Sequence, residues 1–316
     1  MNLKGRNAGL AAALASAAFL GLAPVFGRGA IISGFSWLAV VALRTSIAAG
    51  MLLIIMLIFR RPFLYIFPIG LLGCVLAGTI NGLGSLLYYR ALESLNASVG
   101  QLIYSLYPLF VLIFSILDQQ TISRLTFTRI GLAAVAVFLL AIGESNEVHL
   151  EGVILMLGSA MLYALHIPIN QRVLFEIPAP TVTLYTLLAM SAVTGTAFYF
   201  SDQSLPAAGS TTGWGYLLGL TLVTFLSRIT LFMGVKQIGG IQTALLGLGE
   251  LFVTILLGHI LLAERMTLLQ WIGTIVLMIS FFMIAFDKTP PTINRNKGGW
   301  LSWITSTPKL PPVNWN

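Results

Sequence analysis

Charge is scarce in this chain. Asp, Glu, Lys and Arg make up 9% of its 316 residues, while 57% are hydrophobic; soluble domains carry about 25% charged residues. So few charges cannot cover a water-facing surface of this size, which excludes a soluble fold and makes hydrocarbon the main solvent. Cysteine is nearly missing as well. The single thiol, Cys74, stands in the apolar run Gly73-Cys74-Val75-Leu76, which leaves neither a disulfide framework nor a thiolate metal cluster to build. Histidine occurs three times, without a His-Glu-x-x-His pair, and no glycine-rich loop is spaced to cradle a phosphate. The acids scatter over the loops, with Glu144, Glu147 and Glu151 on one side and Asp118 and Glu176 on the other. Catalysis, a metal and a cofactor are therefore not expected. The net charge of +7 is read as membrane topology and not as a nucleic-acid footprint.

What the chain has in abundance is long apolar runs. A helix needs about 20 residues to cross a hydrocarbon core of about 30 Å, and ten runs qualify: 8–26, 35–59, 64–88, 97–117, 127–142, 152–169, 181–199, 214–234, 241–263 and 268–286. Stretches such as Val135-Ala136-Val137-Phe138-Leu139-Leu140 are apolar throughout, whereas barrel strands alternate. The expected fold class is an all-α integral membrane protein with ten transmembrane helices. With the first residues in the cytoplasm, inner segments hold 12 Lys and Arg and outer ones 3, the other two of the 17, Arg44 and Arg228, lying inside spans. Both termini are therefore expected to be cytoplasmic, in a multi-pass protein of the cell membrane. Residues 287–316, rich in Pro, Trp and basic side chains, read as a cytoplasmic tail resting on the anionic leaflet.

Sliding the chain by 143 residues matches Gly9 with Gly152, Ser16 with Ser159 and Tyr89 with Phe232. Two five-span halves result, residues 6–143 and 151–286. Because five is odd, the second half enters the membrane from the opposite side, giving inverted repeats, an arrangement that transporters use to alternate access.

Arg90-Ala91-Leu92-Glu93-Ser94-Leu95-Asn96-Ala97-Ser98 leading to Leu106-Tyr107-Pro108-Leu109-Phe110, and Gly249-Glu250-Leu251-Phe252 with Leu262-Ala263-Glu264-Arg265, resemble the signatures of EamA-type members of the drug/metabolite transporter superfamily. Leu43-Arg44 in the second span does too. The resemblance implies a secondary transporter that moves a small metabolite.

A charge near mid-membrane costs about 2.5 to 3.5 kcal/mol on insertion scales, so Arg44, Arg228 and Glu250 call for partners or a watered path. Arg228 and Glu250 lie nearly equally far from the turn 236–240 between spans eight and nine and are expected to face each other, as a neutralised pair or as a gate. Thr243, Gly247, Glu250, Thr254 and Gly258 share one helical face; in the repeat, Gly100, Tyr104, Tyr107, Val111 and Ser115 do the same. These two stripes read as opposing cavity walls. Thr221 and Thr224 extend the polar face of Arg228. Asn81, within a Gly-x-x-x-Gly pattern, suits helix packing or the cavity. Pro24 and Pro168, in equivalent first helices, are hinge candidates. The candidate substrate or coupling residues are thus Arg44, Asn81, Tyr104, Tyr107, Arg228, Thr243 and Glu250.

The expected function is export of an amino acid or related solute by alternating access, with protons as a candidate coupling ion and the bilayer as the surrounding partner. An Arg and a Glu could address its carboxylate and ammonium. The alternatives are a lipid-handling membrane protein and a membrane scaffold.

Overall fold

The computed structural model describes residues 3–95, 97–119, 123–142, 150–201, 211–261, 268–283 and 301. Among them every regular element is helical: α1 (Leu3–Ile32), α2 (Trp37–Phe59), α3 (Pro68–Ser94), α4 (Ala97–Tyr104), α5 (Tyr107–Leu117), α6 (Arg124–Ile142), α7 (Leu150–Val173), α8 (Ala179–Tyr199), α9 (Thr211–Ile238), α10 (Gly240–Gly247), α11 (Gly249–Leu261) and α12 (Leu268–Phe282), with one 3-10 turn at Arg61–Leu64. Helices are what apolar solvent demands, because each peptide group finds its partner within its own segment. Ser36 caps α2 by accepting from the Ala39 amide at 3.2 Å, and Pro68 opens α3 where its missing N–H costs nothing.

Six helices, α1, α2, α3, α7, α8 and α9, are long and apolar enough to cross a membrane. The runs 97–117 and 241–263 do not form single helices. The first breaks between α4 and α5 and the second between α10 and α11. Pro108, in the first turn of α5, has no amide to offer the Tyr104 carbonyl, and its ring crowds the preceding turn. In the second copy Leu248 stands between Gly247 and Gly249, two residues that hold a helix weakly. The breaks are equivalent in the repeat, since Ser105 and Leu248 are 143 residues apart. Pro24 and Pro168, by contrast, sit inside α1 and α7, which run on past them. Losing one hydrogen bond does not interrupt these well-packed helices, so Pro24 and Pro168 are positions inside continuous helices.

The two halves interleave. Helix α1 lies along α9 and α11, α7 lies along α3, α4 and α5, α2 packs on α8, and α6 on α12. Matching hydrogen bonds fix the relation: Ser16 Oγ donates to the Ser227 carbonyl at 3.1 Å, and Ser159 Oγ donates to the Gly84 carbonyl at 2.7 Å. The donors are 143 residues apart and so are the acceptors, as a two-fold exchange of the halves requires. Gly9 meets Gln237 and Ile238 just as Gly152 meets Ser94 and Leu95. Large apolar side chains such as Ile58, Leu72 and Phe138 are exposed on the outside, where lipid would cover them.

One buried ion pair joins the halves away from their centre. Arg172 of α7 donates through Nε to Asp118 Oδ2 at 2.9 Å, with Nη2 at 2.8 Å. The tail expected at 287–316 lies outside the described residues except for Leu301, which is buried and donates its amide to Asp118 Oδ1 at 3.2 Å.

Candidate functional site

Two arginines sit inside the bundle because their helices have other apolar faces to offer lipid. Arg44 comes from the middle of α2 and Arg228 from α9, and they are 6% and 5% exposed. Glu250, 2% exposed, stands in the first turn of α11, directly after the break at Leu248. All three line one cavity of about 50 Å³, together with Asn81 and Tyr104. That volume holds a few waters. The other sequence candidates are turned elsewhere: Tyr107 donates its hydroxyl to the Ala244 carbonyl at 3.0 Å, and Thr243 Oγ1 donates to the Gly239 carbonyl at 2.8 Å.

Neutral groups hold both guanidiniums. Arg44 Nη1 donates to Thr224 Oγ1 at 3.1 Å and Nη2 to Ser85 Oγ at 3.2 Å, while its Cζ lies 4.7 Å from the Tyr89 ring centroid. Its Nε makes no hydrogen bond among the described residues. With the Asn81 amide turned so that its oxygen faces Arg228, that oxygen accepts from Nη1 at 2.9 Å and Nη2 at 3.0 Å. The Arg228 Cζ lies 5.7 Å from the Tyr163 ring centroid, within reach of the negative ring face.

Arg228 and Glu250 therefore share a cavity without forming the expected contact pair. Among the described residues, ion pairs join Arg90 to Glu93 and Glu151, and Arg172 to Asp118. The expectation rested on a continuous ninth span, and the break at Leu248 removes that premise; Asn81 then takes the guanidinium. Gln101 and Arg228 are the polar neighbours of the Glu250 carboxyl, yet Oε1 has no hydrogen bond among the described residues. Gln101 accepts the Tyr88 hydroxyl at 3.1 Å and leaves its own Nε2 unpartnered there.

Aromatic rings complete the wall. The Tyr104 ring centroid lies 5.0 Å from Tyr88, 5.3 Å from Tyr163 and 5.6 Å from Tyr107, so the break in the first half is packed in tyrosine. Sequence reasoning missed Ser85, Tyr88, Tyr89, Gln101 and Tyr163. A signal existed for two of them, since Asn81, Ser85 and Tyr88 follow helical 4, 3 spacing. Among the described residues no group of three or more His, Cys, Asp and Glu could hold a metal. The site offers guanidinium donors, a carboxylate and aromatic faces, which suits binding of a polar solute.

A sequence model of the EamA-like transporter family matches the chain twice, over residues 7–142 and 150–286. The chain is 26% identical over 200 residues to the uncharacterized transporter YcbK of Bacillus subtilis (strain 168), covering 60% of this chain and 64% of that protein. It is 23% identical over 232 residues to the uncharacterized transporter sll1319 of Synechocystis sp. (strain ATCC 27184 / PCC 6803 / Kazusa), covering 71% of this chain and 69% of that one. The match thus spans somewhat less than two-thirds of the first relative's length. A solved structure described only as the crystal structure of a protein superposes with a TM-score of 0.71 at 15% identity, over 90% of this chain and 98% of that chain, a likeness of fold.

Proposed function

We propose, from the premise that this membrane protein belongs to the EamA-like transporter family of the drug/metabolite transporter superfamily, that it is a secondary transporter exporting a small metabolite, an amino acid or related solute, across the cytoplasmic membrane. In this reading α4 with α5, and α10 with α11, each make one crossing, so that the twelve helices form ten spans. Residues 6–143 and 151–286 are two inverted five-helix repeats, both termini are cytoplasmic, and 287–316 is a cytoplasmic tail. Alternating access exchanges the conformations of the two halves around the cavity. Glu250 is the residue through which protons would couple, and the chain performs no chemistry on its cargo.

The observation that carries the reading is the origin of the cavity wall. Arg44, Asn81 and Tyr104 come from the first half, and Tyr163, Arg228 and Glu250 from the second. A solute bound there touches both moving parts, which is what coupling binding to exchange requires. The paired helix breaks support it, because interrupted spans beside a midplane cavity are a transporter feature.

The test is efflux from proteoliposomes loaded with mixed amino acids and small metabolites, read by mass spectrometry with and without a pH gradient. Selective loss of one solute class is expected, with a gradient dependence that Glu250→Gln removes. Efflux no faster than from protein-free vesicles, with the protein verified as folded, would sink the reading.

A further inference from the structure

We infer that the cavity selects solutes carrying net negative charge, small dicarboxylates above all; the inference rests on the transport reading. Its ground is a count of charges on the wall. Among the described residues the lining contains the cations Arg44 and Arg228 and the acid Glu250, with the other lining residues neutral. With Glu250 ionised the wall carries one positive charge in excess, and with Glu250 protonated it carries two. The sign is the same in either state.

Among the described residues no carboxylate is ion-paired with Arg44 or Arg228. Arg44 is held by two hydroxyls and a tyrosine ring, and Arg228 by an amide oxygen and a tyrosine ring. A carboxylate offers a guanidinium an opposite charge and two parallel hydrogen bonds, which these neutral acceptors do not, so an incoming carboxylate competes with them for both arginines. The unpartnered buried atoms agree with a charged guest. Arg44 Nε is a donor without an acceptor, and Glu250 Oε1 an acceptor without a donor, among the described residues, while Gln101 is the hydrogen-bonding neighbour of the Glu250 carboxyl.

A solute with two carboxylates and one ammonium answers every charge on the wall: one carboxylate for each arginine and the ammonium for Glu250. It brings the wall with ionised Glu250 to neutrality. A zwitterion with one carboxylate leaves the excess in place, and a cationic amino acid raises it. A dicarboxylate without an amine satisfies the arginines but leaves ionised Glu250 facing like charge. The shared chemistry is the pair of carboxylates; the amine distinguishes the two sources.

The full chain in proteoliposomes, with the membrane potential clamped at zero, would be assayed for flux of L-aspartate, L-glutamate, succinate, L-leucine and L-lysine, singly and in competition. Aspartate or glutamate is expected to move at least tenfold faster than leucine, with lysine at the protein-free background. Succinate should trail the amino dicarboxylate in the unaltered protein and overtake it in Glu250→Gln. Arg44→Gln should lower dicarboxylate flux tenfold or more; if that variant fails to fold, the competition order in the unaltered protein decides alone. Leucine or lysine moving as fast as the dicarboxylates would overturn the charge inference and leave transport standing. Absence of flux for these probes and for the wider metabolite pool, with monodisperse protein, would instead overturn the transport reading on which it rests.

Discussion

Tyr107 shows how tightly single atoms constrain this bundle. Its hydroxyl reaches across to the Ala244 carbonyl at 3.0 Å, linking the broken span of one half to that of the other. It fits only because position 247 is glycine: a Cβ there would lie 2.0 Å from Tyr107 Oη and 3.3 Å from Cζ. Gly247→Ala should therefore destabilise the protein by about 1 to 3 kcal/mol, the range for overpacking a filled core. Tyr107→Phe removes one hydrogen bond and should cost about 1 kcal/mol. The double variant deletes the clashing oxygen along with the space it needed, so its melting temperature in detergent should return close to that of Tyr107→Phe. Additive losses would mean that the alanine strains something other than this hydroxyl. Of the seven residues that the sequence singles out for the cavity by costly burial or repeating spacing, Arg44, Asn81, Tyr104, Arg228 and Glu250 line it, and Tyr107 and Thr243 do not. Their partners were harder to see. A tyrosine in an apolar helix carries little insertion cost, so nothing local marks Tyr163 until packing brings it to a guanidinium.

Among the elements, the apolar runs and the repeat offset were legible because hydrocarbon solvent imposes them on composition. The breaks were not. Proline alone was a poor guide, since Pro108 accompanies a break while Pro24 and Pro168 lie in helices that continue. The second break has no proline at all and depends on two glycines. Its consequence is local: it puts Glu250 in the first turn of a new helix, at the cavity wall. The contact between α5 and α7 carries a different liability. Asp118 and Arg172 have side chains 0% and 1% exposed, and removing one partner of such a buried pair costs about 3 to 5 kcal/mol. Asp118→Asn should therefore lower the melting temperature sharply in detergent. Replacing both, as Asp118→Leu with Arg172→Met, should cost far less, because no unpaired charge is left inside. If the double variant is as unstable as the single one, the unpaired charge is not the main loss, and the hydrogen bond from Leu301 to position 118, which leucine cannot accept and asparagine can, is a further cost of the double variant.

For the molecule as a whole, the cavity has room for a few waters and no metabolite, so the proposed transport requires it to open, in that reading by motion of one half against the other. Helices α2 and α8 belong to opposite halves and touch through Thr45 and Thr194, whose hydroxyl oxygens are 2.8 Å apart. Side chains this short and this close can be exchanged for cysteines able to form a disulfide, with sulfurs about 2.05 Å apart. The chain makes the experiment clean, since its one native thiol, Cys74, is buried and can be replaced by alanine beforehand. In that background the Thr45→Cys, Thr194→Cys variant should transport while reduced. Oxidation should bring efflux down to the protein-free level, and a reductant should restore it, if the proposed mechanism holds and the tether joins two bodies that separate during transport. Cross-linking is followed by the loss of free thiols in mass spectrometry. Full transport by completely cross-linked protein would mean that α2 and α8 travel together, and the moving boundary would then have to run along the α1–α9 and α3–α7 contacts, where the paired serine hydrogen bonds lie.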